Sequence, residues 1–257
     1  MGFKSRVRHK RHLLIPDTQL KPGVRTEHLH HAGLYIAQHR PDVIVVIGDW
    51  YDMHSLSSYS SRRALEGRRV RADIDAGNAG LRRFVGPWIG IPGYNPRLVY
   101  TLGNHEQRLE RYLGDHPELD GYLGFDSFEF EHYGFEVYPF LKPVEIDGIQ
   151  YCHFFPQGPN GAVMQNKRGQ PNAQTQVRRV GQSSVAGHKQ GLDYALQESL
   201  SGRKHGIIAG SFYAHTENYK TPMGNDHWRG MVMLNRVHKG DFDICPVSID
   251  YLKERYG

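Results

Sequence analysis

The sequence predicts an α/β fold, and two features of the chain indicate it. Short uninterrupted apolar runs, typical of strands buried on both faces of a parallel sheet, alternate with stretches of helical periodicity. The chain has 257 residues, which is enough to bury a large core, and an α/β fold of this length can form one domain. We therefore expect a basic arm over residues 1–12 and a single domain over residues 13–257.

The first half of the chain is predicted to alternate strands with helices. Its apolar runs predict strands at residues 12–17, 42–49 and 97–104. Its helices are predicted at residues 27–39, 69–84 and 105–113. The first of these helices has apolar residues at three- and four-residue spacing and follows Thr26, a favourable N-cap residue. Gly77 and Gly80 are unfavourable in the interior of the second helix.

Strands dominate the pattern after about residue 134. They are predicted at residues 135–140, 149–155, 183–188, 204–211, 229–237 and 242–249. Residues 156–182 are rich in Gln, Asn, Gly and Pro and are predicted to form one long polar loop. A loop of this length inside a compact domain is usually functional or mobile, and the alternative is an insertion without a role.

The composition argues against a membrane-spanning, secreted or disulfide-rich protein. Hydrophobic residues make up 39% of the chain, and no run approaches the roughly 18 apolar residues of a membrane-spanning helix. The N-terminus is basic and lacks the apolar segment of a secretory signal. The two cysteines, Cys152 and Cys245, are too few for a disulfide scaffold and lack zinc-finger spacing. We expect a cytoplasmic protein with reduced thiols and no membrane partner.

The net charge of +5 is unevenly distributed along the chain. Residues 1–12 contain no acid, and their basic residues are Lys4, Arg6, Arg8, Lys10 and Arg11. A second basic cluster consists of Arg62, Arg63, Arg68, Arg69 and Arg71. Such clusters favour a polyanion partner, here nucleic acid or a nucleotide, and the alternative is a solvated tail and a solvated helix face.

Polar side chains close most of the predicted strands. The segments are DTQ at 17–19, GDWYD at 48–52, GNHE at 103–106, YCH at 151–153 and AGHKQ at 186–190. The carboxyl ends of parallel strands meet at one edge of a sheet, and side chains two residues apart on a strand point the same way. Each residue taken alone also fits an ordinary turn, helix cap or buried histidine. The ordered set, in a chain with 16 histidines, indicates a metal site.

In this order the segments resemble the calcineurin-like metallophosphoesterases, whose pattern is D-x-H, G-D-x-x-D/N, G-N-H-D/E, a lone His and G-H-x-H. The similarity covers residues 13–192, and GNHE after a buried strand is its most specific part. It is closest to the nuclease and phosphodiesterase members of bacteria and their viruses. The resemblance implies a four-layer α/β/β/α sandwich with a site for two divalent metal ions.

The resemblance also implies a role for each matching residue. Asp49 would bridge the two metals, and the second site would be completed by Asn104, His153 and His188. The first metal would be held by Asp17 together with Gln19 and Gln190. His105 would be a catalytic acid or a transition-state stabiliser rather than a ligand.

Three neighbouring residues are softer candidates for the same site. Arg108 would contact a phosphate oxygen, and its alternative is a surface arginine. Asp52 would bind substrate indirectly, by orienting His105 or a metal-bound water, or it would simply finish a turn. Glu106 is predicted to support the loop rather than to bind metal.

The sequence departs from the family pattern at the first metal site. Gln19 and Gln190 stand where the pattern has histidines, which leaves oxygen ligands only. Such a site favours Mg²⁺, Mn²⁺ or Ca²⁺ over Zn²⁺. The first site is therefore either retuned to bind a hard metal weakly or lost. For the pair of ions, Mn²⁺ is the leading expectation, with Mg²⁺, Fe²⁺, Zn²⁺ and Ca²⁺ as alternatives.

Three functions remain open from the sequence. The first is a metal-dependent phosphodiesterase or nuclease acting on nucleic acid or nucleotides. The second is a phosphomonoesterase acting on a small molecule, a nucleotide or a phosphoprotein, because the same metals and His105 serve either reaction. The third is a non-catalytic nucleic-acid-binding module that retains one metal.

Overall fold

The computed structural model describes residues 9–58, 60–158, 161–200, 202–217 and 225–257. These residues form a mixed α/β fold with two larger mixed sheets, in agreement with the predicted α/β class. Most of the predicted basic arm, residues 1–8, lies outside the described residues. Residues 10–12, expected to complete that arm, instead begin the first strand.

The larger sheet carries the first strands of the chain. Its members are β1 (Lys10–Pro16), β2 (Val43–Ile47), β3 (Arg97–Thr101), β4 (Glu136–Tyr138), β12 (Gly230–His238) and β13 (Asp241–Ser248). The strand order is β13-β12-β1-β2-β3-β4. Strands β1 to β4 run parallel, and β12 pairs antiparallel with β1.

The smaller sheet is built from the middle of the chain. It contains β5 (Val144–Ile146), β6 (Ile149–Tyr151), β9 (Ser183–Ala186), β10 (Leu192–Ser199) and β11 (Gly202–Ala209). The order is β10-β11-β9-β6-β5, in which β6, β9 and β11 run parallel. A separate short hairpin pairs β7 (Pro156–Gln157) with β8 (Ala162–Val163).

The helices flank these sheets. They are α1 (Glu27–His39), α2 (Arg62–Leu65), α3 (Val70–Val85), α4 (Gln107–Asp115), α5 (Ala173–Val180) and α6 (Ile249–Tyr256). Short 3-10 turns lie at His54–Leu56, Pro117–Leu119, Phe125–Ser127 and Glu131–Tyr133. Helix α1 contacts α3 and α6, whereas α5 packs on β9, β10 and β11. Within the described ranges, no helix is long and apolar enough to cross a membrane.

Two apolar clusters explain why the strand sequences are apolar without interruption. Successive side chains of a strand point to opposite faces of its sheet. In β2, Val45 packs in the cluster that both sheets share, with Ile149 and Ile207 of the smaller sheet. Its neighbour Val46 packs in the other cluster, which includes side chains of α1 and α3 such as Ile36. Strands buried on both faces have no polar side to alternate with the apolar one.

The predicted helices at 27–39, 69–84 and 105–113 are confirmed within two residues at each end. Thr26 occupies the predicted N-cap position of α1, but its hydroxyl accepts no capping hydrogen bond from the helix. Gly77 is tolerated in α3 for a packing reason. A Cβ at Gly77 would lie 2.0 Å from the Tyr51 ring, so only glycine fits there.

The prediction of one polar loop over residues 156–182 is wrong in part, because this segment contains the hairpin and helix α5. The side chain of Asn172 caps α5 by accepting a hydrogen bond from the Thr175 N–H at 2.7 Å. Gln176 lies on the buried face of α5 and donates to the carbonyls of Ser184 and Ile207 at 3.0 and 3.1 Å. Because this buried position holds a glutamine, the apolar periodicity of a helix is not visible in the sequence of α5.

Candidate metal centre

Five loops that follow parallel strands meet at one edge of the two sheets. The residues concerned are Asp17 after β1, Asp49 after β2, Asn104 after β3, His153 after β6 and His188 after β9. The loops after β1 and β2 are tied together, because the N–H groups of Thr18 and Gln19 donate to the Asp49 carbonyl at 3.0 and 2.8 Å. The sheets thus gather the residues that the sequence predicts to bind metal.

The four residues predicted for the second metal site lie in contact. Ligand atoms of Asp49, His153 and His188 all lie within 4.8 Å of one another. The Asn104 Oδ1 atom lies 2.9 Å from His153 Nε2 and 2.8 Å from His188 Nδ1. His153 Nε2 is also 3.4 Å from Asp49 Oδ2. Four potential ligand atoms therefore face a common point.

The chemistry of this donor set fits a divalent cation. His153 Nδ1 donates to the Ile47 carbonyl at 2.9 Å, so Nε2 is the ring nitrogen that faces Asn104 and Asp49 and that would bind a cation after losing its proton. Nearby, the buried Asp17 Oδ2 has no hydrogen-bond partner among the described residues. Two imidazole nitrogens, an amide oxygen and a carboxylate are ligand types that bind first-row divalent cations.

The charges at the site are set by burial and by mutual contact. Burial would lower the pKa of His153, but the Asp49 carboxylate outweighs this effect and raises the pKa to about 10. Burial lowers the pKa of His188 to about 4, so this imidazole is neutral near pH 7. Burial also raises the pKa of Asp17 to about 7. The His153 proton balances the Asp49 charge, and a bound cation would take over that role.

Unusual backbone geometry coincides with the site. Gln19, Asp49 and His188 have positive φ angles of 47°, 49° and 65°. Non-glycine residues adopt such angles at a cost, and they cluster where the surrounding structure enforces them. The enforcing contacts at Asp49 come from the buried Glu106 carboxylate.

Glu106 fastens the loop that carries Asp49 to the loop that carries Asn104. Its carboxylate accepts the N–H groups of Asp49, Tyr51 and Gly103 at 3.0, 2.9 and 2.8 Å. The residue is fully buried, and burial raises its pKa. The predicted supporting role of Glu106 is therefore confirmed.

Asp17 performs a similar task for the loop that carries His188. Its Oδ1 atom accepts the His188 N–H at 2.9 Å. A Cβ at Gly187 would lie 2.5 Å from the same oxygen, so the close approach requires glycine. Asp17 thus joins the end of β1 in one sheet to the end of β9 in the other.

His105 lies beside the four convergent residues. Its N–H donates to Asp49 Oδ1 at 2.9 Å, and its Nε2 atom is 3.7 Å from Asp49 Oδ2. Its Nδ1 atom is 3.1 Å from Asp52 Oδ1, and the role of Asp52 in orienting the ring stays a prediction. Burial would lower the pKa of His105, but the Asp49 and Asp52 carboxylates raise it above its usual value.

Arg108 belongs to the same cluster. Its Nη1 donates to the Asp52 carbonyl at 2.7 Å, and its Nη2 is 3.0 Å from His105 Nε2. The side chain is 10% exposed, so the alternative of a surface arginine is wrong. Contact between Arg108 and a phosphate oxygen stays a prediction.

Both glutamines of the predicted first site lie in the site loops. Gln19 is 4% exposed, and its backbone is bonded to Asp49. Gln190 is half-buried in the turn after His188. The all-oxygen ligand set of Asp17, Gln19, Asp49 and Gln190 stays a prediction.

A buried ion-pair chain behind Asp52 was missed by sequence reasoning. Lys21 Nζ lies 2.9 Å from Asp52 Oδ2 and 2.8 Å from Glu217 Oε1. Glu217 is in turn 2.7 Å from His215 Nε2. Burial would raise the pKa of Glu217, but these two partners hold it at about 2. Residues 21 and 217 are 196 positions apart, and no spacing in the sequence connects them.

No protein-family model matches the chain, and no curated protein matches it. The chemistry of the site has to be judged from its own residues.

Proposed function

We propose that this protein is a metal-dependent phosphoester hydrolase of the calcineurin-like type, acting on phosphodiesters of nucleic acid or nucleotides. The convergence of Asp49, Asn104, His153 and His188 carries the proposal. Helices that pack against each of two facing sheets support the four-layer α/β/β/α sandwich that the sequence resemblance implies.

The donor types suit the proposed chemistry. Asp49 offers two oxygens, as a bridging ligand requires, Asn104 offers a neutral oxygen, and the two imidazoles suit Mn²⁺, Fe²⁺ or Zn²⁺. Divalent ions held there would supply Lewis-acid polarisation of the ester and a more acidic water. The retuned form of the first site, with Gln19 and Gln190 as weak oxygen ligands, is the form we propose.

In the proposed reaction, His105 donates a proton to the leaving oxygen of the phosphoester. Asp52 Oδ1 lies 3.1 Å from Nδ1, and Nε2 is directed toward Asp49 and Arg108. Arg108 is anchored on the Asp52 carbonyl and would stabilise negative charge on the phosphoryl oxygens.

The charge of the neighbouring surface favours a polyanionic substrate. The segment after Asp52 leads through the turn His54–Leu56 to α2 and α3, and Asp73 of α3 binds Ser55 at 2.6 Å. Five arginines of this region are exposed, namely Arg62, Arg63, Arg68, Arg69 and Arg71. An exposed arginine cluster adjacent to the site loop would bind the backbone of a nucleic acid.

Hydrolysis of two model substrates tests the proposal. Bis(p-nitrophenyl) phosphate and p-nitrophenyl phosphate should be compared with Mn²⁺, with Mg²⁺ and with EDTA. We expect diester hydrolysis that needs a metal, together with DNA or RNA binding that weakens as salt rises. Arg62→Ala combined with Arg63→Ala should lower the salt dependence, whereas Arg236→Ala, an exposed arginine paired with Asp243, should not.

Other outcomes would redirect the proposal. Monoester hydrolysis alone, without nucleic-acid binding at low salt, would make the protein a phosphomonoesterase. Nucleic-acid binding without any metal-dependent turnover would make it a binding module.

A further inference from the structure

The smaller sheet ends in a long strand whose outer edge is open. Each of the two larger sheets has two edge strands, and two of these four, β4 and β5, are only three residues long. The edge strand β13 contains Pro246, which lacks the N–H group that a neighbouring strand would bind. β10 has eight residues, no proline and no lysine, and no described strand pairs with its outer edge. Proteins usually block an edge of this kind, because its N–H and C=O groups bind a further strand.

Exposed apolar side chains are concentrated at the same strand. Six large apolar residues of the described chain are exposed, and three of them lie in β10 or directly after it, namely Tyr194, Leu196 and Leu200. Strand β11 contacts β1 and β13 of the larger sheet, and β10 lies one strand further out. This position leaves Tyr194 and Leu196 39% and 41% exposed. Apolar surface along an open sheet edge is typical of a contact with another strand.

The exposed Tyr194 ring is held in place by its neighbours. Its hydroxyl lies 2.9 Å from Nδ1 of the buried His205, and His205 Nε2 lies 2.8 Å from Asp241 Oδ1. The His205 ring also stacks on Phe242, with the ring centres 4.1 Å apart. A fixed aromatic side chain loses little conformational entropy on binding, so Tyr194 suits the role of an interface anchor.

The sequence of β10, LDYALQES, is complementary to itself. In an antiparallel pair, side chains directly opposite each other lie on the same face of the sheet. When two copies of β10 pair with Ala195 opposite Ala195, each Tyr194 lies opposite Leu196 of the other copy. In the same register each Asp193 lies opposite Gln197, whose amide can donate to the carboxylate. No like charges lie directly opposite each other, so this pairing is favourable along the whole strand.

We propose that the outer edge of β10 binds β10 of a second copy of this chain, around a two-fold axis that passes between the two Ala195 residues. The two five-stranded sheets would then form one continuous sheet. Helix α5, which packs on β10, would lie on the same face of that sheet as its counterpart. The self-complementary register identifies the partner as a second copy, and the inference does not depend on the proposed function.

Sedimentation equilibrium of the full chain tests the contact. We expect a dimer at micromolar concentration, both in EDTA and with Mn²⁺. Leu196→Glu should raise the Kd of the dimer about tenfold or more, because each interface contains the substitution twice and places a charge opposite Tyr194. Tyr122→Glu, at a tyrosine that is 90% exposed outside this edge, is the matched control and should leave the Kd unchanged. Circular dichroism checks that both variants are folded.

Disulfide cross-linking tests the register. Directly opposite residues of an antiparallel pair have Cα atoms about 4.5–5.5 Å apart, which is within disulfide range. Ala195→Cys, made together with Cys245→Ser to remove the exposed natural thiol, should therefore form a covalent dimer on oxidation. Glu198→Cys in the same background is the control. Residue 198 lies opposite Leu192 of the other copy, about 20 Å from residue 198 of that copy, and should not cross-link.

Three results would overturn the inference. A wild type that stays monomeric at submillimolar concentration would leave this edge to an extended segment of a different protein. Equal dimerisation of wild type and folded Leu196→Glu would place the contact between copies on another surface. Equal cross-linking of the Ala195→Cys and Glu198→Cys variants would contradict antiparallel pairing around Ala195.

Discussion

Each ring nitrogen of His105 lies close to one side chain, and these two contacts limit the chemical roles open to the ring. Asp52 lies 3.1 Å from Nδ1, and Arg108 lies 3.0 Å from Nε2. The backbone N–H, rather than the ring, contacts the Asp49 carboxylate most closely, at 2.9 Å. In the proposed reaction His105 would therefore act on a proton, and its neighbours would bind the metal.

Replacement of His105 by Gln tests whether His105 acts on a proton while its neighbours bind the metal. We expect kcat for diester hydrolysis to fall by about 10²–10⁴-fold, the usual contribution of a general acid. The metal content should not change, because the proposal does not make His105 a ligand. Steady-state kinetics and elemental analysis on the same preparation check both expectations. Loss of metal in His105→Gln would show that the ring is a ligand after all.

Lys21 lies behind the pair formed by His105 and Asp52, and we propose that it positions this pair. It separates the buried carboxylates of Asp52 and Glu217 and contacts both. Lys21→Met would leave these two charges facing each other, so Asp52 would turn and the His105 ring would lose its orientation. We expect kcat to fall about 10–100-fold with KM nearly unchanged, the range found for residues that support a metal site from behind its ligands.

Two further variants give this prediction its control. Lys21→Arg keeps the charge and should recover much of the activity, and Lys142→Met, at an exposed lysine, should have no effect. A fall in activity that is matched by loss of folded protein, without rescue by Lys21→Arg, would assign Lys21 a role in stability only.

At the scale of the elements, the strand ends were the part of the site that the sequence could predict. β1, β2 and β3 are buried on both faces, so their sequences are unbroken apolar runs, and the polar residues after them stand out. β10 and α6 gave no such signal. β10 is a largely exposed strand at the sheet edge, and α6 buries only Leu252 fully.

Helix α3 shows how packing overrides local preference. Gly77 is unfavourable in a helix, but Tyr51 occupies the space that a side chain would need. Gly77→Ala should therefore lower the free energy of unfolding by about 1–3 kcal/mol through overpacking. Gly114→Ala in α4, where a Cβ would meet nothing within 4 Å, should raise it by up to about 1 kcal/mol. Urea unfolding of both variants measures the contrast, and equal effects would contradict it.

The whole molecule is needed to form the site, because its residues come from both sheets. Asp49 and Asn104 follow strands of the larger sheet, whereas His153 and His188 follow strands of the smaller one. The contact between Asp17 and His188 joins positions 171 residues apart. Sequence motifs can nominate such residues, but only the packing of two sheets determines their distances. The pair of Lys21 and Glu217 had no motif and could not be nominated.

A buried histidine between the sheets makes stability depend on pH. His12 of β1 contacts the Tyr151 hydroxyl of β6 at 2.7 Å and Asp147 at 3.0 Å. Burial lowers its pKa from 6.5 to about 4. Between these values the unfolded chain takes up a proton that the folded chain does not, so the free energy of unfolding falls as pH falls from 6.5 to about 4.

His12→Gln removes this contribution. The slope of unfolding free energy against pH should become shallower by about 1.4 kcal/mol per pH unit at most within that window, and should not change above it. Urea unfolding in EDTA at a series of pH values gives both slopes. Identical slopes for wild type and variant would show that His12 titrates alike in the folded and unfolded states.

The number of metal ions per chain tests the proposed centre most directly. Elemental analysis should be made after equilibration with excess Mn²⁺ and a phosphate analogue, on wild type, His188→Ala and Gln190→Ala, with the exposed His132→Ala as control. We predict two ions in wild type and in the control, and one ion fewer in each of the other two variants. Wild type without bound metal, or His188→Ala with as much metal as wild type, would contradict the account.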